Sequence, residues 1–484
     1  VKQLSLVIGV DVYAIAIVIS GFFMGLSAGS YYFARRVQDH PHPARLYSQL
    51  EVATAVSALS LLSLLRIGAE LYVSWERALG VGAWAVFWLL IAIPPFFMGG
   101  TFLALLRYCR GGQREMGRFV GQLYGANTSG AVLGTLCTPF ALIPMLGVLG
   151  AGIAAVTVNL GLAMLARRVC PERVAYVPHK LSPGASSRQH WQAAGLYGLV
   201  GFSAIAFEVI WGQMIIQFLN TRTHAYAVML AVYLAGLALG NLLISRRVDR
   251  INNLWLAFSL ISFLAVAMAV LPIVLIDGDV LDAQARLGQL VFDATGQLSL
   301  AMLSRFLLIS VFFIFLSTCC FGALLPVAAK LVDERQGQGA LATGHALAVN
   351  TLGGVMASLI VGFWVIPRLG LINAVVLASM LLVGVALAAL LRARCRWPFA
   401  LAYVSVALLA LTLPRDKFSQ LLVEQQGGRL VYFAEGVGNT VAVIEQGKGE
   451  RRFRRLYIEG VSNTGDVMAS RRYMRLQTYI PLLL

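Results

Sequence analysis

The sequence predicts an all-α polytopic membrane bundle of two tandem six-helix repeats, followed by a small β-rich C-terminal module. Three observations predict it. Apolar residues come in blocks near 20, the number a helix needs to cross ~30 Å of hydrocarbon. Basic residues crowd into alternate connections. Two short patterns return at a constant offset. Composition agrees: of 484 residues, 59% are hydrophobic and 12% charged, against about 25% charged in soluble domains. Disorder over most of the length is excluded, because it needs low hydrophobicity.

The elements follow in order. Spans read at 8–34, 48–65, 79–106, 120–144, 147–166, 193–218, 223–245, 254–276, 302–329, 341–366, 371–391 and 398–414. A lead at 1–7 reads as the tail of an earlier helix, so the first helix of the first half is mostly missing and the chain reads as cut from a longer protein. The connections 35–47, 107–119, 167–192, 246–253, 330–340 and 392–397 hold 20 Lys or Arg; the alternate ones hold five, Arg66, Arg77, Arg222, Arg286 and Arg368. The first set is therefore cytoplasmic. That asymmetry also explains much of the net charge of +16 without nucleic acid. The expected location is the cell (inner) membrane, multi-pass. The domains are 1–168 and 193–392 for the membrane halves, a cytoplasmic linker at 169–192, an extra span at 393–414 and the module at 415–484.

The repeat is explicit. Gly25-Leu26-Ser27-Ala28-Gly29, six residues before Arg35-Arg36-Val37, returns 211 positions later as Gly236-Leu237-Ala238-Leu239-Gly240 before Arg246-Arg247-Val248. Asn127-Thr128-Ser129-Gly130, then Phe140, Pro144 and Gly147, returns 223 positions later as Asn350-Thr351-Leu352-Gly353, then Phe363, Pro367 and Gly370. Six is even, so both halves enter the membrane in the same sense, as in major facilitator transporters. The paired glycines are small-xxx-small spacings that bring backbones together.

Residues 415–484 change character, with 11 Lys or Arg and 7 Asp or Glu. Strands read at Arg429–Glu435, Thr440–Gln446 and Phe453–Ile458, with a hairpin at Gly447-Lys448-Gly449 and a helix at 467–480. The span 398–414 is short and opens on Pro398; if it crosses, the module lies outside the cytoplasm.

Several residues are candidates for chemistry. Glu208 lies inside a span, where a carboxylate faces a cavity or a partner: it binds a proton or an ammonium group, or it is a hydrogen-bonded structural acid. Trp211 is three residues on and shares its face, or is an interfacial anchor. Asn127 and Asn350 are repeat-equivalent and suit cross-helix hydrogen bonds. Tyr124 shares the face of Asn127, and Leu347 takes its place in half two, so a site there is asymmetric. His345 is a proton carrier or a packing residue. Glu51 is expected to meet Arg35-Arg36 or Arg45. Pro94, Pro95 and Pro326 should kink their helices. Arg451-Arg452-Phe453-Arg454-Arg455 reads as a solvated strand face or an anionic-lipid contact rather than a nucleic-acid site. The six cysteines form no CxxC pair, and no HExxH, Walker or Ser-His-Asp pattern is present.

The runs Leu430–Gly436, Thr440–Glu445 and Leu456–Gly460, then Tyr473 followed by Tyr479-Ile480-Pro481, resemble the N-terminal β-domain of spermidine synthases. Phe207-Glu208-Val209-Ile210-Trp211, Phe97-Met98-Gly99-Gly100-Thr101-Phe102 and Leu123–Ala131 resemble the membrane part of the fused major-facilitator/spermidine-synthase branch. The resemblance implies an aminopropyltransferase-type enzyme using decarboxylated S-adenosylmethionine and a polyamine, with the Gly-rich loop and catalytic Asp beyond Leu484 and no cofactor held by this chain. Two polyamine-holding positions depart from the family: Tyr473-Met474 replaces a Tyr-His pair, and Ser462-Asn463 stands where a Gln is expected. The competing readings are a transporter of a cationic or amphipathic small molecule, and a membrane scaffold.

Overall fold

The computed structural model describes residues 11–66, 68–80, 82–110, 116–170, 188–216, 222–333, 339–394, 398–436, 439–447, 449 and 452–483. The lead at 1–7, most of the linker 169–192 and Lys448 lie outside these residues.

The chain is helical through the membrane part: α1 Asp11–Asp39, α2 Pro43–Arg66, α3 Gly68–Leu79, α4 Gly82–Arg110, α5 Met116–Cys137, α6 Ile143–Val169, α7 Arg188–Ile216, α8 Arg222–Ser245, α9 Leu254–Leu275, α10 Gly278–Thr295, α11 Leu298–Ser310, α12 Leu316–Asp333, α13 Gly339–Ile360, α14 Leu371–Arg392 and α15 Pro398–Leu411. Ten helical stretches among the described residues are long and apolar enough to cross a membrane. The chain is a multi-pass membrane protein.

One stretch, Arg118–Val169, holds 52 residues. At 1.5 Å per residue it would reach about 78 Å, far beyond a bilayer. Gly147 breaks it, at φ 69° and ψ 177°, and the two arms run in opposite directions. The start of α5 lies by the end of α8, where the Arg118 N–H donates to Asp249 Oδ2 at 3.0 Å. The end of α6 lies by the start of α2, where Ser48 Oγ donates to the Ala163 carbonyl at 2.9 Å. Gly370, at φ 83°, separates α13 from α14 in the same way. Only glycine takes such angles without strain.

A π turn precedes each break, Thr138–Leu142 and Val361–Val365. Pro144 and Pro367 lack the N–H that would close on Phe140 and Phe363, so the turn before them widens. A third π turn, Val311–Phe315, joins α11 to α12. The span expected at 302–329 therefore runs longer, Leu298–Asp333. Pro94, Pro95 and Pro326 sit inside α4 and α12 without ending them.

Helix pairs meet at glycine. A methyl on Gly25 or Gly29 would strike the Ala92 or Phe96 carbonyl of α4; one on Gly240 would strike the Cys319 carbonyl of α12. Ser259 Oγ donates to the Ala386 carbonyl at 2.7 Å, joining α9 to α14. The largest core lies around α7–α9 and α12–α14, with Phe207, Trp211, Phe258, Phe306 and Phe313 fully buried.

The helix α15 has 14 residues, about 21 Å, short of a full span. It packs along α14 and α9, with Tyr403 OH 2.9 Å from Ser259 Oγ and its ring 4.5 Å from that of Phe263. Beyond it come α16 Lys417–Gln426, four strands and α17 Met468–Leu483. The strands β1 Arg429–Glu435, β2 Thr440–Gln446, β3 Phe453–Ile458 and β4 Val461–Gly465 form an antiparallel meander in chain order. The hairpin β3–β4 turns through Glu459 (φ 51°) and Gly460 (φ 72°). Under the sheet, Ala442, Ile444 and Tyr457 bury against Leu422 of α16.

Candidate functional site

The candidate site is Glu208 and the tyrosines about it. Glu208 projects from α7 and is half-buried. No hydrogen bond or cation reaches its carboxylate from the described residues. Its charge instead interacts with Tyr226 and Tyr233 of α8. Tyr233 interacts in turn with Tyr197 of α7 and Tyr124 of α5, and Phe102 of α4 meets the Tyr124 ring edge-on at 5.7 Å. One acid thus interacts electrostatically with a group of tyrosines that extends from α7 and α8 to α5 of the first half.

This arrangement has a definite chemistry. A carboxylate at membrane depth without a cation is costly to keep charged. Aromatic faces attract an ammonium group, more strongly where water is scarce. An arriving organic cation, or a proton, satisfies both.

The helices place these side chains by period. Tyr226 and Tyr233 are two turns apart on α8, and Tyr197 and Glu208 about three turns apart on α7, so each pair shares a face. That spacing is visible in the sequence, yet Tyr197, Tyr226 and Tyr233 were not among the sequence-stated candidates. Contacts between helices distant in sequence carry no local pattern.

The other candidates go elsewhere. Trp211 does not face lipid: it is 0% exposed, stacked on Phe207 at 5.3 Å. Asn350 makes the expected cross-helix bond, Nδ2 to the Tyr197 carbonyl at 2.8 Å. Asn127 does not: its side chain is exposed on α5, because the described residues put no helix against that face. His345 is stacked between Tyr31 (5.3 Å) and Trp191 (5.4 Å), with His190 edge-on at 5.7 Å. It joins α1 to α13 and α7 near the basic end, and its Nε2 has no hydrogen-bond partner among the described residues. Glu51 interacts with Tyr47, four residues earlier, and pairs with no arginine among the described residues. Arg35 and Arg36 lie over the Tyr31 and Tyr32 rings. Tyr473 lies on α17, 60% exposed, far in sequence and element from Glu208, its hydroxyl accepting from Gln477 Nε2 at 2.6 Å. No cluster of three metal-ligating residues occurs among the described residues.

The class defined by fold and site is a multi-pass membrane protein with a half-buried acidic group and an appended antiparallel sheet. No family model and no curated protein matches the chain.

Proposed function

We propose that the bundle is a carrier, in the inner membrane, for a small organic cation of the polyamine type, with Glu208 as its binding carboxylate. The observation that carries this reading is the half-buried acid, reached by no cation of the described residues and coupled electrostatically to Tyr226 and Tyr233. Two tandem repeats supply the architecture. Supporting them, the π turns, the breaks at Gly147 and Gly370, and the hydrogen bonds Ser48–Ala163 and Ser259–Ala386 all recur at the offsets read from the sequence. So do the contacts of Gly29 on Phe96 and Gly240 on Cys319.

The test is uptake of labelled spermidine and putrescine into proteoliposomes. Glu208→Gln should lower it at least tenfold while the protein elutes and melts normally. Undiminished uptake by Glu208→Gln, or no polyamine uptake by the wild type, overturns the reading.

A second reading rests on a separate observation. The meander β1–β4 followed by α17 keeps the order implied by the resemblance to spermidine synthases. On that reading the intact protein is a membrane-tethered aminopropyltransferase-like enzyme that takes decarboxylated S-adenosylmethionine. Aminopropyl transfer by the purified intact protein would support it.

A further inference from the structure

We propose that residues 415–484 work outside the cytoplasm, clamped to the second half of the bundle by two helix-end contacts. The inference is independent of what the bundle binds.

The first contact is Glu435, at the end of β1. Its Oε2 accepts the Leu371 N–H at 2.6 Å. Leu371 opens α14, so the carboxylate caps a helix start, where unpaired N–H groups and the helix dipole favour negative charge. A methyl on Gly370 would lie 2.7 Å from the same oxygen. The glycine thus serves both the chain reversal and the docking of the module. The second contact is Lys417, at the start of α16. Its Nζ donates to the Val274 carbonyl at 2.7 Å, in the last turn of α9. That carbonyl belongs to the negative end of the helix, which suits an ammonium group. Asp277, just past α9, adds its charge to Lys417. An acid sits on a helix start and a base on a helix end, each with the sign its dipole favours.

These two helix ends fix the side. The opposite end of α9 carries Asn253, whose Nδ2 reaches the Ala393 carbonyl just beyond α14 at 3.2 Å. That end holds Arg246, Arg247, Arg250, Arg392 and Arg394, and basic connections face the cytoplasm. The module is clamped to the other end. A chain leaving Arg392 and arriving at Lys417 must traverse the bundle, so α15 crosses despite its length. Both clamped helices belong to the second half and pack on each other. The module is therefore fastened to that half, in the outer compartment.

Two measurements test this. Ser462 is exposed on β4 and Arg247 on the basic end. In intact cells, an impermeant maleimide should label Ser462→Cys at least tenfold above wild type, while Arg247→Cys should label only after permeabilisation. Labelling of Ser462→Cys only after permeabilisation overturns the proposal. For the clamp, hydrogen exchange at the Leu371 amide in purified Glu435→Ala should be at least tenfold faster than in wild type. Exchange in β2 and β3 should stay unchanged, showing that the module is still folded. Glu435→Gln keeps an acceptor and should keep Leu371 protected. An unchanged Leu371 rate in a folded Glu435→Ala protein overturns the clamp.

Discussion

Replacing Gly240 by alanine tests how closely α8 and α12 are held. The added carbon would strike the Cys319 carbonyl oxygen and lie 2.8 Å from its carbon and 3.0 Å from Ala323 N. Carbon contacts are comfortable at about 3.5 Å, and these obstacles are backbone atoms that cannot rotate away. Overpacking of this kind costs about 1–3 kcal/mol. The gain in helix propensity from Gly to Ala offsets about 1 kcal/mol. Gly384 on α14 is the control, since nothing lies within 4 Å of its would-be methyl; there only the propensity gain remains. The two variants should differ by about 2 kcal/mol, hence by ~4 °C or more in Tm at the scale of large domains. Thermal unfolding in detergent, followed by size exclusion of a fluorescent fusion, reads this directly. Gly29→Ala, which meets the Phe96 carbonyl, should behave like Gly240→Ala. If Gly240→Ala melts at or above Gly384→Ala, the close-approach argument is wrong.

Two further outcomes are expected. Ser48→Ala and Ser259→Ala each remove a buried bond between helices (2.9 Å and 2.7 Å) and should each cost about 1 kcal/mol; equal melting temperatures to wild type would deny the serines that role. For the clamp, burial raises the Glu435 carboxyl above its ordinary 4.5, and the Leu371 amide opposes part of that rise. The docked state holds the proton more tightly than the free one, so this group's contribution is full below 4.5 and is lost as pH rises through the raised value. Wild type should therefore lose melting temperature relative to Glu435→Gln as pH rises above about 4.5; a relative gain would reverse the assignment.

Much of the fold was legible because its signals are local. Apolar blocks gave the spans, and the recurring Pro-then-Gly pattern marked a repeat, while the chain breaks at Gly147 and Gly370 emerged only in the structure. Strand-like runs at 429–435, 440–446 and 453–458 gave three strands with the bounds found in the sheet. The fourth strand escaped because Val461-Ser462-Asn463-Thr464-Gly465 is mostly polar. The helices α3, α10 and α16 escaped because they have no long apolar block. At the site, Glu208 stood out alone. Its tyrosines did not, because α5, α7 and α8 meet only in three dimensions. Trp211 and Asn127 show the converse: a helical wheel says which residues share a face, and not what, if anything, covers it.

The two glycine reversals have a practical consequence for anyone probing the outer face. Where α5 turns into α6, and α13 into α14, the chain comes about through a single residue. Neither corner contains a loop of its own, although Met145 and Leu146 stand exposed at the first. On the proposed outer side, α3, α10 and the sheet add further surface. A binder raised against the outer face will select those elements, and one seated on the sheet will grip the half of the protein to which the sheet is fastened.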